Sequence, residues 1–164
     1  MDAGDGLIPT SGGGRACLLT TVAPEGLHIV DQSGWVLVEA AVDSGATENV
    51  MGEKDLRSVS TRDGEASKRG VTYEVANGKR IPNLGEKQFV AHTAEGLAKG
   101  ITCQVCDVNR PLLSVSKIVA AGHRVTFGPE GGHIQDLQTG ELMHLKQENG
   151  MYTLAMWVQS DKPF

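Results

Sequence analysis

The chain has 164 residues and a formal net charge of −5; 40% of the residues are hydrophobic, 4% are aromatic and 21 are glycines. This length is enough for one domain with its own core. The acidic balance, without any cluster of Lys and Arg, argues against a nucleic-acid partner, because that binding depends on neutralising phosphates. Few aromatic residues and many glycines favour a fold rich in turns over a helical bundle.

Neither the apolar runs nor the cysteines indicate a membrane or secreted protein. No apolar run approaches the roughly 20 residues of a membrane helix, and residues 1–15 lack the basic and apolar parts of a signal peptide. Three cysteines give no disulfide framework, which indicates a reducing compartment. We therefore expect an intracellular, cytoplasmic protein with no membrane partner.

The first part of the chain is predicted to contain short strands separated by turns. Residues 1–15, rich in Gly and Ser, are expected to be a flexible lead-in. Strands are predicted at 16–22 ("ACLLTTV"), 27–30 ("LHIV") and 35–42 ("WVLVEAAV"). The last of these has a single charge, so we expect a strand covered on both faces. Residues 53–70 are polar, which predicts a surface connection with one helical turn.

The clearest local pattern is a hairpin. Val71, Tyr73 and Val75 alternate with polar residues, and Asn77-Gly78 follows. Asn-Gly accepts the two positive φ angles that a two-residue hairpin turn requires. Further along, residues 87–108 are predicted to form two more strands around a Gly-containing turn.

The rest of the chain adds one short helix and more hairpins. "LLSVSKIVAAGHRVTF" predicts a helix capped by Ser114 and closed by Gly122. The tail predicts terminal hairpins around Thr139-Gly140 and Asn149-Gly150. The expected fold class is therefore all-β with one short helix.

The turn at Asp43-Ser44-Gly45 has two interpretations. Such residues are common in turns, where Asp and Ser bond nearby backbone and Gly takes a positive φ. Here, however, the turn ends an apolar strand, so the carboxylate lies at the end of a core element. The residues that follow, Ala46 and Thr47, are small enough to allow close approach of a ligand. Both interpretations fit the turn residues taken alone.

Three segments in this order resemble the retroviral-type, or retropepsin-like, aspartic proteases, and most closely those of copia-like LTR retrotransposon polyproteins. "VDSGAT" is similar to the active-site loop, and "EVANGKRIPNLG" to the flap hairpin and the strand that leaves it. "RPLLSVSKIVAAGHRVTF" is similar to the closing element, including its Leu-Leu-Ser-Val. The resemblance runs from about Gly34 to Phe127, with a weaker match in "GGHIQDLQTGELMHLKQENGMYTLAMWV".

The resemblance implies a fold and a division of the chain. The fold would be the closed β-barrel of the acid proteases, with one short helix and C-terminal β-hairpins. The protease domain would span residues 16–127, between the lead-in at 1–15 and a β-hairpin extension at 128–164.

The resemblance also implies roles for individual residues. Asp43 would be the catalytic carboxylate, Ser44 the hydroxyl that braces two active-site loops, and Gly45 the source of backbone freedom in the turn. Substrate would be bound by loop and flap residues, namely Ala46, Thr47, Ala76, Asn77 and Gly78. Three residues would pack beneath the loop, namely Leu112, Leu113 and Ser114. Ser114 stands where many retroviral enzymes have Gly, and the flap tip has a single Gly.

One Asp cannot act at once as general acid and general base, and the chain has no second Asp-Ser/Thr-Gly. The resemblance therefore implies a homodimer that brings two copies of Asp43 together and cleaves a polyprotein, in the cytoplasm or inside virus-like particles. No metal or cofactor is required. The alternative is an inactive or domesticated domain that keeps the fold and binds peptides or dimerises.

"CQVC" at Cys103 and Cys106 also has two interpretations. It could be half of a zinc site, although Cys17 and the histidines lie at no finger-like spacing. Residues i and i+3 of a strand point to opposite faces, which disfavours two-point capture of a metal. We therefore expect two buried thiols that behave as small apolar residues.

Overall fold

The computed structural model describes residues 34–160, and in this range the predicted all-β class is confirmed. The predicted lead-in at 1–15 and the predicted strands at 16–22 and 27–30 lie outside the described residues. Neither helix within residues 34–160 has the length and apolarity that crossing a bilayer requires.

The described chain contains short strands and two very short helices. In chain order they are β1 (Trp35–Asp43), β2 (Val50–Met51), α1 (Glu65–Lys68), β3 (Thr72–Glu74), β4 (Arg80–Pro82), β5 (Gly85–Thr93), β6 (Ala98–Val105), β7 (Leu112–Ser114), α2 (Val115–Ala120), β8 (His123–Gly128), β9 (Gly131–Asp136), β10 (Leu142–Glu148) and β11 (Met151–Gln159). The short helix predicted after Ser114 is α2. The additional helix, α1, is the helical turn expected in the polar segment, where the Gly64 N–H donates to Ser67 Oγ at the start of the helix.

Nine strands form one sheet in the order β1-β7-β2-β6-β5-β11-β10-β9-β8, while β3 and β4 form a separate hairpin. β11 also pairs with β1, antiparallel, from Trp35–Gln159 to Ala41–Thr153. Following the pairings from β1 through β7, β2, β6, β5 and β11 therefore leads back to β1. In this series, β2 and β7 are joined by the single pair Val50–Leu112. The closed acid-protease barrel remains a prediction.

The β3–β4 hairpin is confirmed, but the predicted two-residue turn is wrong. The Gly78 N–H donates to Val75 O at 2.8 Å and the Val75 N–H to Lys79 O at 2.9 Å, so the loop has three residues. Only Gly78 takes a positive φ, +85°, and Asn77 does not. Asn77 Oδ1 instead accepts from the Lys79 N–H at 2.8 Å. This is the alternative in which a tight turn is followed by one left-handed residue that forms a bulge.

The predicted tail hairpins are confirmed. Asn149 (φ 53°) and Gly150 (φ 77°) form the two-residue turn between β10 and β11, and Gly140 (φ 82°) lies between β9 and β10. β11 lies between β10 and β5 in the main sheet. The boundary at residue 128 remains a prediction, but the last strand beyond it pairs directly with β1.

The main core contains a buried amine as well as apolar side chains. In β5 the buried residues recur with period two, and Lys87 lies on the same face as Phe89 and Ala91. The Lys87 side chain is fully buried, and Nζ donates to Glu53 O at 2.9 Å and to Leu56 O at 2.7 Å. Burial lowers the pKa of this amine. Through these two hydrogen bonds, Lys87 holds the segment that follows β2 against the sheet.

Candidate active site

Asp43 is the last residue of β1, and the strand before it is buried at Val38 and from Ala40 to Val42. Asp43 itself is half-buried, whereas Ser44 and Gly45 are exposed. The apolar side chains fix the strand in the core, Glu39 is exposed, and the chain turns directly after Asp43. The buried strand therefore presents a carboxylate at the edge of the core.

The turn holds one oxygen of this carboxylate. The Gly45 N–H donates to Asp43 Oδ1 at 2.8 Å, and the Ala46 N–H donates to Asp43 O at 3.4 Å. The expectation that Gly45 takes a positive φ is wrong. Its conformation is open to other residues, and a Cβ there would lie 3.4 Å from Asp43 Oδ1. Asp43 Oδ2 accepts no hydrogen bond from any residue between 34 and 160.

β7 supports the turn from its other side. β1 and β7 run parallel, with Ala41, Val42 and Asp43 opposite Leu112, Leu113 and Ser114. Leu113 and Ser114 are buried, and Leu112 is half-buried. These supporting residues, predicted to lie beneath the loop, are thus next to it in the sheet.

Ser114 makes the closest connection between the two segments. Its Oγ donates to Ala46 O at 2.7 Å and accepts from the Lys117 N–H at 3.2 Å, which confirms the predicted cap of α2. Ser116 Oγ lies 3.0 Å from Ser114 Oγ. Because Ser114 has one hydroxyl hydrogen, which the Ala46 carbonyl receives, Ser116 must be the donor in this pair.

We expect Ser114→Ala to lower the free energy of unfolding by about 1–2 kcal/mol, because it removes a helix cap and leaves the Ala46 carbonyl without its donor. Denaturant titration measures this change. Ser116→Ala is the matched control, since Ser116 is exposed, and its cost should be below about 0.5 kcal/mol. Equal losses in the two variants would contradict the role assigned to Ser114.

Asn49 is a structural residue of this site that the sequence analysis missed. Asn49 Oδ1 accepts from the Ser114 N–H at 2.8 Å, Nδ2 donates to Thr102 O at 3.3 Å, and the Asn49 backbone O accepts from the Gln104 N–H at 2.7 Å. One amide thus links the turn to β7 and β6. The only sequence signal was a polar amide directly before the apolar pair of β2.

The other loop residues face solvent to different degrees. Thr47 is exposed. The Glu48 carboxylate lies 3.5 Å from Lys117 Nζ, with side chains 37% and 48% exposed. This ion pair joins the loop to α2, although a pair this exposed contributes little stability.

The β3–β4 hairpin lies over an apolar cluster next to the turn. Tyr73, Val75 and Ile81 of the hairpin pack with Val50 and Leu112, the residues that join β2 and β7. Since Val50 follows the Asp43 turn directly and Leu112 precedes Ser114, hairpin and turn border one apolar surface. The predicted tip is exposed; its residues are Ala76, Asn77 and Gly78.

A buried amide anchors the base of this hairpin. Asn83 Nδ2 donates to Tyr73 Oη and to Gln104 Oε1, both at 2.8 Å, and Asn83 Oδ1 accepts from the Gly85 N–H at 2.8 Å. Burial raises the pKa of the Tyr73 hydroxyl, which therefore stays protonated. The hairpin is thus fixed at its base and exposed at its tip.

The two described cysteines are buried in different clusters. Cys103 belongs to the main core and Cys106 to the cluster beneath the hairpin. Burial raises the pKa of Cys103 to about 12 and also raises that of Cys106, which disfavours the thiolate form that binds metals. Between residues 34 and 160, no group of three or more His, Cys, Asp or Glu side chains is placed to hold a metal. Cys17 lies outside the described residues, and the zinc interpretation gains no support here.

Comparisons with family models, with curated proteins and with solved structures each found no match to this chain.

Proposed function

We propose that this protein is an aspartic endopeptidase that works as a homodimer of the retropepsin type. The observation that carries the proposal is the Asp43 carboxylate at the end of a buried strand. One of its oxygens is held by the Gly45 N–H, and the other has no partner within the described residues. Ser114 and Asn49 fix the turn from below, as a catalytic loop requires.

The proposal requires a second carboxylate, which a second copy of the chain would supply. A two-fold axis next to the turn would place two Asp43 side chains face to face. Ser44 is exposed and makes no side-chain hydrogen bond to residues 34–160, so its hydroxyl is available to brace the partner's loop. Each chain then contributes half of the active site.

The pair would act through one shared proton. Two carboxylates this close do not both ionise, so the pair titrates as a unit. The ionised carboxylate takes a proton from water while the water oxygen bonds to the scissile carbonyl carbon. The protonated carboxyl gives its proton to the carbonyl oxygen, forming a tetrahedral diol. Proton transfer to the nitrogen then breaks the C–N bond and releases an acid and an amine.

The substrate would be an extended peptide lying between the Asp43 turn and the β3–β4 hairpin. The half-buried residues of the shared apolar cluster, Tyr73, Val75 and Leu112, supply a surface for apolar side chains, and the exposed hairpin tip can close over the peptide. The resemblance further suggests the parent retrotransposon polyprotein as substrate, the closed acid-protease barrel as fold, and cytoplasm or virus-like particles as location.

Dilution tests the proposal. Cleavage of a peptide library should show a specific activity that falls as the enzyme is diluted, because the active site forms only in the dimer. Sedimentation at the same concentrations should show dimers separating into monomers over the same range. Specific activity that stays constant while monomers form would contradict a shared active site, and a folded dimer without cleavage would support the inactive peptide-binding alternative.

A further inference from the structure

Within residues 34–160, only β2 pairs with the outer edge of β6, at Gln104 and Val105. The Gln104 N–H points away from β5, since it donates to Asn49 O, whereas Val105 O accepts from Leu84 N on the β5 side. Backbone groups alternate in direction along a strand, so Thr102 and Gly100 point to the same edge as Gln104. Thr102 O accepts from Asn49 Nδ2. The Thr102 N–H and both polar groups of Gly100 have no partner among residues 34–160.

This edge borders a cavity of about 350 Å³. Gly100 and Thr102 line it and are exposed. The apolar side chains of its wall include Ile101, Leu113, Ile118, Ile134, Met143 and Met156. A Cβ on Gly100 would meet nothing within 4 Å, so another backbone has room to approach there. An open strand edge next to an apolar cavity is the geometry of peptide binding by strand addition.

The cavity lining carries more positive than negative charge, although the whole chain has a net charge of −5. Its ionised residues are Lys99, Lys117 and Glu48. Lys99 Nζ pairs with Asp136 Oδ2 at 2.7 Å, whereas Lys117 makes only the exposed 3.5 Å pair with Glu48. Because that pair is weak, Lys117 can turn to an acidic ligand. Lys117 is therefore the cation at the rim that an acidic side chain of a peptide would meet.

We propose that the β6 edge and this cavity form a peptide-binding site, which takes a short extended segment with an apolar side chain flanked by acidic ones. The apolar side chain enters the cavity, the peptide backbone pairs with Gly100 and Thr102, and an acidic side chain meets Lys117. The lining contains no residue of the β3–β4 hairpin and none of residues 43–47, although it shares Asn49 and Leu113 with the support of the Asp43 turn. Binding here does not depend on catalysis.

The test uses the full chain carrying Asp43→Asn, so that no cleavage can occur. The probe is an acetylated, amidated peptide of alternating leucine and glutamate, titrated while backbone amide NMR signals are followed. We expect saturable shifts centred on Gly100 and Thr102.

The variants test the contacts. Gly100→Pro removes the outward N–H but no bond of the β5–β6 ladder, and should weaken binding about tenfold, whereas Gly100→Ala should retain it. Lys117→Glu should weaken binding about threefold, and the exposed Lys68→Glu should not.

A peptide methylated at its backbone nitrogens tests the same pairing without changing the protein, and its binding should be lost. Equal binding of the methylated peptide would overturn strand addition. Absence of saturable shifts up to about 1 mM peptide would overturn the site altogether. Binding of decanoate but not of peptide would assign the cavity to a small amphiphile instead. Self-association that Gly100→Pro abolishes, without peptide binding, would assign the edge to a second copy of the chain.

Discussion

Replacing Asp43 with Asn is expected to reduce peptide cleavage by about 10³-fold or more, because an amide can neither activate water nor share a proton with a second carboxylate. The fold should be retained, since Asn Oδ1 can still accept from the Gly45 N–H. The measurement is kcat/KM on the best peptide from a library. Asp63→Asn is the matched control: Asp63 also lies beside a glycine in the chain, as Asp63-Gly64 against Asp43-Ser44-Gly45, but it is exposed in a polar segment, and activity should be unchanged.

Mixing wild-type protein with the Asp43→Asn variant tests whether the active site is shared between two chains. If each active site uses one Asp43 from each chain, an excess of the Asp43→Asn protein should capture wild-type chains in inactive mixed dimers. Wild-type activity should then fall as the variant is added, while the Asp63→Asn protein should not lower it. Full activity in the presence of excess variant that forms mixed dimers would mean that one chain carries the complete catalytic group.

The second large effect is expected at Lys87. Lys87→Met keeps the length of the buried side chain but leaves the carbonyls of Glu53 and Leu56 without their donor. We expect a loss of about 2–4 kcal/mol in the free energy of unfolding. Denaturant titration measures it, with Lys99→Met as a control in which a partly exposed amine loses one ion pair, at a cost of about 1 kcal/mol. An unchanged stability for Lys87→Met would mean that the burial of charge costs as much as the two hydrogen bonds contribute.

The effect of Lys87→Met should also depend on pH. Burial lowers the pKa of Lys87 in the folded protein below the ordinary 10.5 of the unfolded chain. Between those two values the unfolded chain binds the proton and the folded chain does not, so wild-type stability rises with pH through this window. Below the folded pKa, both states are protonated and the contribution is constant. The stability difference between wild type and variant should therefore widen as pH rises towards about 10.5, and a narrowing difference would contradict the lowered pKa.

Much of the fold could be predicted from the sequence because the patterns that indicate it involve residues close together in the chain. The apolar run before Asp43 predicted β1, Asn149-Gly150 predicted a tight hairpin turn, and Ser114 predicted the cap of α2. Asn77-Gly78 correctly located a hairpin, but the turn type was wrong. The Asn77 side chain satisfies the Lys79 N–H, and this makes a three-residue loop with one left-handed position possible. Turn geometry thus depends on bonds that the dipeptide alone does not specify.

Lys87 shows how the tertiary structure can bury a residue type that is ordinarily exposed. Residues 87, 89, 91 and 93 alternate along β5, and all four are buried. The period therefore placed Lys87 in the core, but a lysine is buried only when its charge finds acceptors. Those acceptors are two carbonyls more than thirty residues earlier in the chain, and only the folded structure brings them to the amine.

The sequence by itself determined where β1, the hairpins and the helix cap lie and that a carboxylate ends an apolar strand, because these follow from side-chain period and from bonds within a few residues. Only the tertiary structure decided that Ser114 and Asn49 hold the Asp43 turn and that β11 pairs with β1, since these contacts join residues far apart in the chain. It also decided that, among the described residues, part of the β6 edge has no neighbouring strand beside a cavity. Long-range pairing depends on which surfaces meet when the sheet forms. The local pattern of apolar and polar residues does not specify which strands will pair.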